Sequence, residues 1–325
     1  MREPAKIIII QPGWFTTVQD LGRYGYQQYG VSASGAMDRR SFIIANRLVG
    51  NCDRDAALEI TFKGPELLCE HDAVIAITGA DLAPSVNGTA IPLWTSVLAK
   101  AGSLVAFGSR RAGGRCYLAI AGGVEVPVVL GSRSTHISSR TGGVDGCALA
   151  AGDVIVSGVP RPRTPALIGR SLRKSLRPAY SPSATLRILP GPQLDSFSKD
   201  VLEVLTTNLY RVTGQSDRMG YRLEGAKLSH AGAGHHISDG TAMGGLQVPP
   251  DGQPILLMAD RQTTGGYPTI AVVISADLHL AGQLMPGDAI QFVMTSLAEA
   301  QTVLVTQRQQ LEDAIDPISS PLIEP

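Results

Sequence analysis

The sequence predicts a mainly β protein built from two tandem β-domains with a few short helices. Short apolar runs rich in β-branched residues, bounded by Gly, Pro, Asn or Asp, recur along the chain and read as strands. Gly (36) and Pro (21) are frequent while only 17% of residues are charged, a balance that suits strands and turns better than a helical bundle. One turn also recurs: A-G-S at 101–103, A-G-D at 151–153 and P-G-D at 286–288 each lead into an apolar run. The second and third copies each close a β-rich segment, which points to two related units.

In chain order the predicted strands are 6–10, 73–78, 103–108, 116–122, 153–158, 185–191, 254–259, 269–275 and 289–294. Helical spacing marks 41–51, which ends at Gly50-Asn51 as a C-cap, and 193–207. A third helix, 296–315, opens with Ser296 and Glu299 at capping-box spacing. The stretch 161–184 is rich in Pro, Arg and Ser and lacks a strand signal. It reads as a connection between an N-terminal domain, 1–160, and a C-terminal domain, 185–325. Its basic character suits a solvated surface, with an anion-binding or partner-docking segment as the alternative. G-R-S-L-R-K-S within it lacks the glycine that a phosphate-binding loop needs directly before its lysine.

A chain of 325 residues can bury two cores. Lys+Arg and Asp+Glu are both 28, so the net charge is zero and no long basic cluster suggests nucleic acid. Zero net charge gives little colloidal repulsion and favours association with another chain. The N-terminal apolar run, Ile7–Ile10, is too short for a signal peptide or a membrane span, so the expected location is the cytoplasm. The four cysteines are widely spaced without a CxxC; Cys69 and Cys116 lie in apolar runs and read as buried thiols.

Three segments concentrate polar residues and glycine beyond what turns require. In 16–38, glycines punctuate Gln19, Asp20, Arg23 and Asp38, so that backbone N–H groups and Arg23 could meet an anion while Asp20 orients Arg23 or accepts a proton. A plain Gly-rich loop held by a local Asp–Arg pair is the competing reading. In 214–225, Arg218 and Arg222 could meet an anionic substrate, or lie on an edge strand as solvated arginines. In 235–268, Asp239, Gln247, Asp260, Gln262 and Tyr267 fall near strand ends, where a barrel rim would gather them around an amide. Asp239-Gly240, Asp251-Gly252 and Gly265-Gly266 also read as hairpin turns. His235-His236 would point to opposite faces of a strand, and no metal site is expected. No nucleophile elbow or partnered cysteine is apparent, so catalysis here would run by binding and polarisation.

These segments, T-T-V-Q-D-L-G-R-Y-G-Y-Q-Q-Y-G-V-S-A-S-G-A-M-D, Q-S-D-R-M-G-Y-R-L-E-G and S-D-G-T-A-M-G-G-L-Q-V-P-P-D-G-Q-P-I-L-L-M-A-D-R-Q-T-T-G-G-Y-P, closely resemble the family of the 5-oxoprolinase C subunit. That family is also described as allophanate hydrolase subunit 2, Kip antagonist-like, and a biotin-dependent carboxyltransferase homologue. The resemblance runs from about residue 6 to 295. It implies two tandem β-barrel domains, the second cyclophilin-like. It also implies a heteromer with a protein like the 5-oxoprolinase B subunit, working together with an A subunit. It further implies ATP-dependent hydrolysis of 5-oxoproline to L-glutamate, with the ATP site shared with or located on a partner.

Within that frame the candidate catalytic residues are Asp20, Arg218 and Asp260. The candidate substrate-binding residues are Gln19, Arg23, Asp239, Gln247, Gln262 and Tyr267. Arginines suit a phosphate or the substrate carboxylate, and Gln or Asp suits the lactam. A urea amidolyase-like carboxyltransferase is the runner-up, although the chain carries no Met-Lys-Met biotinylation motif and no covalently attached biotin is expected. A regulator binding a kinase-inhibitor-like partner is the third reading.

Overall fold

A computed structural model describes residues 3–161, 164–231 and 237–312, which fall into two compact units. The first holds the described residues of 3–23, 38–179 and 309–312; the second holds those of 24–37 and 180–308. The architecture is mainly β, as the sequence predicts. Among the described residues no helix is long and apolar enough to cross a membrane.

The first unit carries its strands in a seven-stranded and a five-stranded sheet, whose paired strands run antiparallel. Alternation sets the faces of Lys6–Gln11, where Ile7 and Ile9 are buried and Ile8 and Ile10 are not. Ile7, Ile9, Leu67 and Ile155 of one sheet share a single core with Val18, Leu58, Ile75 and Leu118 of the other. Ala73–Asp81 and Ala112–Ile120 are buried along nearly their whole length. The helix Arg39–Leu48 packs against them with Phe42, Ile44 and Leu48 buried, and the Asp38 carboxylate caps it by accepting from Ser41 N at 2.9 Å.

The second unit is a closed barrel. Its strands run in the order Ser183–Pro190, Thr269–Val273, Gly245–Gln247, Ile255–Leu257, Gly220–Glu224, Leu209–Val212 and Ala289–Met294. Parallel pairing of Ser183–Ile188 with Ala289–Met294 closes the ring. Leu186, Tyr210, Tyr221, Leu246, Leu256, Ile270 and Phe292 fill its core.

Several local expectations are realised in atomic detail. In the recurring turn, Gly102, Gly152 and Gly287 all sit at positive φ, and Asp153 and Asp288 each accept from the backbone N–H three residues earlier. The capping box also forms: Glu299 Oε2 accepts from Ser296 N at 2.9 Å, and Ser296 Oγ accepts from Glu299 N at 3.2 Å. These bonds hold the Glu299 carboxyl below its ordinary pKa.

Other expectations change. The predicted helix 193–207 divides into a 3-10 turn, Leu194–Ser196, and the helix Val201–Thr207. Phe197 intervenes, extended, bridged to His230 and stacked on its ring at 4.9 Å; tertiary pairing overrides helical periodicity. Gly220–Glu224 is an interior barrel strand rather than an edge, with Arg222 exposed. Asp239–Gly240 is no turn but pairs with Thr264–Gly265. In the stretch 161–184, Arg170 O accepts from Ser96 N and Leu172 N donates to Trp94 O, both at 2.9 Å, so this part is packed on the first unit. His235 and His236 lie outside the described residues, as do 313–315 at the end of the predicted third helix.

Within the second unit, a buried ion pair ties down Ser34 and Gly35 of the segment 24–37, whose Met37 packs in the core. Arg218 Nε donates to Asp260 Oδ2 at 2.9 Å and Arg218 Nη2 to Oδ1 at 3.1 Å, with side-chain exposures of 7% and 6%. Arg218 Nη2 also donates to Gly35 O at 2.6 Å, and Ser34 Oγ to Asp260 Oδ1 at 2.7 Å. Ser34 adopts φ 54°, a left-handed conformation that few residues other than glycine take without support. Removing one partner strands a buried charge, so Arg218→Met should lower unfolding free energy by about 3–5 kcal/mol in urea titrations. Arg218→Met combined with Asp260→Leu should recover a large part of that loss; equal destabilisation by the single and double variants would contradict this account.

Burial pushes the Cys69 thiol up to about 11 and raises that of Cys116 as well, whereas Cys52 and Cys147 are exposed. Iodoacetamide should therefore label only Cys52 and Cys147 in the native chain and all four cysteines in denaturing urea, as read by peptide mass mapping.

Candidate functional site

The second unit gathers carboxamides around a small recess at the ends of its strands. Gln247 ends the strand Gly245–Gln247 and is 3% exposed. Its Nε2 donates to Tyr267 O at 3.2 Å, and its Oε1 accepts from Gln262 Nε2 at 3.2 Å. Gly265 permits this arrangement, since a Cβ there would lie 2.5 Å from Gln247 Nε2. Gln193 Oε1 accepts from Thr269 N at 3.0 Å, and its Nε2 reaches toward Asp239 Oδ2 at 3.4 Å. Gln193, Asp239, Gln247 and Tyr267 line the recess together. Thr241 Oγ1 donates to Gln262 O and fixes the backbone beside it.

Arg261 is the residue that sequence reasoning passed over. It follows Asp260 in a turn closed by Arg261 N donating to Met258 O, and it is only 9% exposed. Its Nη1 and Nε make long contacts with Met258 O at 3.4 Å and Thr241 O at 3.5 Å. Among the described residues no carboxylate pairs with it. Burial lowers its pKa from the ordinary arginine value, the mark of a desolvated cation without a compensating charge. An anion arriving here would supply that charge and could take the two-point contact a guanidinium offers.

The other candidates separate into distinct environments. Arg218 and Asp260 are spent on each other and on residues 34–35. Asp239 and Tyr267 stay accessible, Tyr267 at 45%. Gln19, Asp20 and Arg23 belong to the first unit and are buried there. Asp20 accepts from Gly22 N at 2.7 Å, Ser132 Oγ at 2.7 Å, Ser134 Oγ at 2.5 Å and Arg133 N at 2.6 Å. Arg23 donates to Ser134 O at 2.7 Å and Val129 O at 3.3 Å, so Ser134 links the two. Gln19 Nε2 donates to Thr17 Oγ1 and Thr135 O, both at 3.1 Å, while its buried Oε1 has no donor among the described residues.

Among the described residues, the second-unit cluster offers neutral amides, the Asp239 carboxylate, a buried guanidinium that no carboxylate pairs with, and the Tyr267 hydroxyl at the mouth. These groups suit hydrogen bonding to a planar amide at the mouth; the recess itself, of about 20 Å³, has room for about one water. The family model for the carboxyltransferase domain, subdomain A and B, matches residues 29–294. The 5-oxoprolinase C subunit of Escherichia coli is 39% identical over 94% of this chain and 96% of its own length. That of Haemophilus influenzae is 34% identical over 87% and 89%. The crystal structure of the Kluyveromyces lactis urea amidolyase superposes with a TM-score of 0.89 at 32% identity, over 99% of this chain and 21% of that one. The chain thus spans about a fifth of that urea amidolyase but nearly all of the Escherichia coli protein. On fold, matched length and identity, it belongs to the carboxyltransferase subdomain A and B family, in which the 5-oxoprolinase C subunit is among its relatives.

Proposed function

We propose that this chain is the C subunit of an ATP-dependent 5-oxoprolinase, working with A and B subunits to hydrolyse 5-oxoproline to L-glutamate. The observation that carries this reading is the match to the Escherichia coli 5-oxoprolinase C subunit over 94% of one chain and 96% of the other. The chemistry of the residues in and next to the recess agrees with it. A lactam bearing a carboxylate needs a cation for the carboxylate and amide partners for the ring N–H and C=O. Arg261 serves the first and Gln247 with Gln262 the second, with Asp239 and Tyr267 at the mouth.

In this reading Arg218 and Asp260 are positioning residues that hold the 258–262 turn. Gln19, Asp20 and Arg23 position the 129–135 loop of the first unit. A lactam is a stable amide, and phosphorylation of its oxygen by ATP would make ring opening by water feasible. Two carboxamides and one guanidinium are a donor set for a monocarboxylate rather than for a triphosphate, so we assign the ATP site to the assembled complex with the A and B subunits.

The family description and the urea amidolyase likeness favour one alternative, a biotin-dependent carboxyltransferase whose acceptor is an amide such as urea. Reconstitution separates the two. Purified chain mixed with its A and B subunits should release ADP and glutamate only when 5-oxoproline is present. Omitting this chain should abolish turnover. Arg261→Gln should raise the KM for 5-oxoproline about tenfold with a smaller change in kcat and an unaltered Tm. No turnover in the complete mixture would overturn the proposal, and carboxyl transfer from carboxybiotin to urea would establish the alternative.

A further inference from the structure

The first unit contains a cavity of about 590 Å³ that the second-unit cluster does not involve. Its size lies within the roughly 300–1,000 Å³ of small-molecule sites. One wall is the hairpin Ser85–Val86/Thr89–Ala90, which turns at Asn87 (φ 50°) and Gly88 (φ 77°), both left-handed as a tight type I′ connection requires. Ile91, Leu93, Trp94 and Phe107 supply an apolar lining. Trp94 is 5% exposed and is held between Ile77 O, which accepts from its N–H at 2.8 Å, and Leu172 N, which donates to its O at 2.9 Å.

Two wall residues, Ala83 (φ 49°) and Trp94 (φ 60°), keep left-handed backbone conformations that disfavour residues with a Cβ. Such strain persists only where the surroundings enforce it, and it concentrates at binding sites.

The charged groups are unevenly compensated. Asp81 Oδ1 accepts from Ala83 N at 2.8 Å, and its Oδ2 lies 3.8 Å from Arg111 Nη1, a loose pair with Arg111 69% exposed. Arg177 also lines the cavity; its Nε donates to Leu172 O at 3.0 Å, and among the described residues no carboxylate pairs with it. Burial lowers the pKa of this guanidinium, as it does for a cation that lacks a counter-charge. Two arginines against one aspartate leave room for a single negative charge, and Asp81 would repel a second.

We propose that this cavity is a binding site for a small monocarboxylate with an aromatic or branched aliphatic body. Arg177 takes the carboxylate, Arg111 assists at the rim, and the body packs on Trp94, Leu93 and Phe107. The segment that sequence reads as a basic connection thereby contributes the anchoring cation. The site is independent of the 5-oxoprolinase reading, because its occupancy is measured on the chain alone.

The chain has 2 tryptophans, Trp14 and Trp94, so Trp14→Phe leaves Trp94 as the sole reporter. Titration of the full-length Trp14→Phe chain with 4-phenylbutyrate should give a saturable change in tryptophan emission. The neutral 4-phenylbutanol and the dianionic phenyl phosphate should each bind at least about tenfold more weakly. Arg177→Gln should weaken 4-phenylbutyrate binding about tenfold, and Arg111→Gln, at a side chain 69% exposed, by a smaller factor. An absent or non-saturating response would overturn the proposal. So would equal affinity for the alcohol, tighter binding of the phosphate, or unchanged affinity in Arg177→Gln, or in Arg111→Gln should the Arg177 variant fail to fold.

Discussion

The buried ion pair between Arg218 and Asp260 is the constraint on which the second unit depends. Its two members come from segments some forty residues apart, |i−j| = 42, and it reaches a third segment through Ser34 and Gly35. Burying two charges costs several kcal/mol per ion unless lone pairs and protons find partners. Here both Asp260 oxygens accept, and the guanidinium is divided between the carboxylate and a backbone carbonyl. The three polar stretches that stand out in the sequence, 16–38, 214–225 and 235–268, therefore meet at one point. Their shared feature is a structural joint first, and a chemical one only through the neighbours of Asp260.

Those neighbours show how identical residue types acquire different roles. Arg218 is compensated on the spot. Arg261, one position beyond Asp260, is comparably buried, yet among the described residues its guanidinium donates to carbonyl oxygens at 3.4 and 3.5 Å and pairs with no carboxylate. The ion pair holds the turn, and the turn presents Gln262 to Gln247 and Arg261 to the carbonyls of Met258 and Thr241. In the first unit Asp20 plays a role comparable to that of Asp260, gathering three of its four donors from a loop over a hundred residues away in sequence. Carboxylates whose oxygens are so fully engaged act as anchors, which is why the proposed chemistry rests on amides and a cation.

Much of the fold was legible because its local codes are strong. The apolar runs became strands, the Gly-Asp turns kept their left-handed glycines, and Ser296 with Glu299 formed the box that their spacing announces. Shorter or more polar strands such as Phe15–Gln19 and Ala57–Thr61 were not legible, because tertiary burial rather than composition makes them strands; Glu59 sits inside as the acceptor of Tyr117 Oη at 2.8 Å. The break at Phe197 was hidden for the same reason. Around the recess, the expected gathering of Gln247, Gln262 and Tyr267 at strand ends matches the hydrogen bonds that join them. Arg261 was missed because sequence does not distinguish an arginine paired with a carboxylate from one that, among the described residues, meets only carbonyl groups. Arg218 and Arg222 make the point: four residues apart, one is 6% exposed in an ion pair and the other faces solvent.

The central claim is that Arg261, on the ion-paired turn and next in sequence to Gln262, receives the substrate carboxylate. A crystal structure of the assembled complex of this chain with its A and B subunits, soaked with 5-oxoproline, tests it most directly. The expected result is a carboxylate oxygen about 3 Å from the Arg261 guanidinium, with the lactam against the two carboxamides. 5-Oxoproline bound elsewhere in a turnover-competent complex, with Arg261 making no contact to it, would contradict the claim.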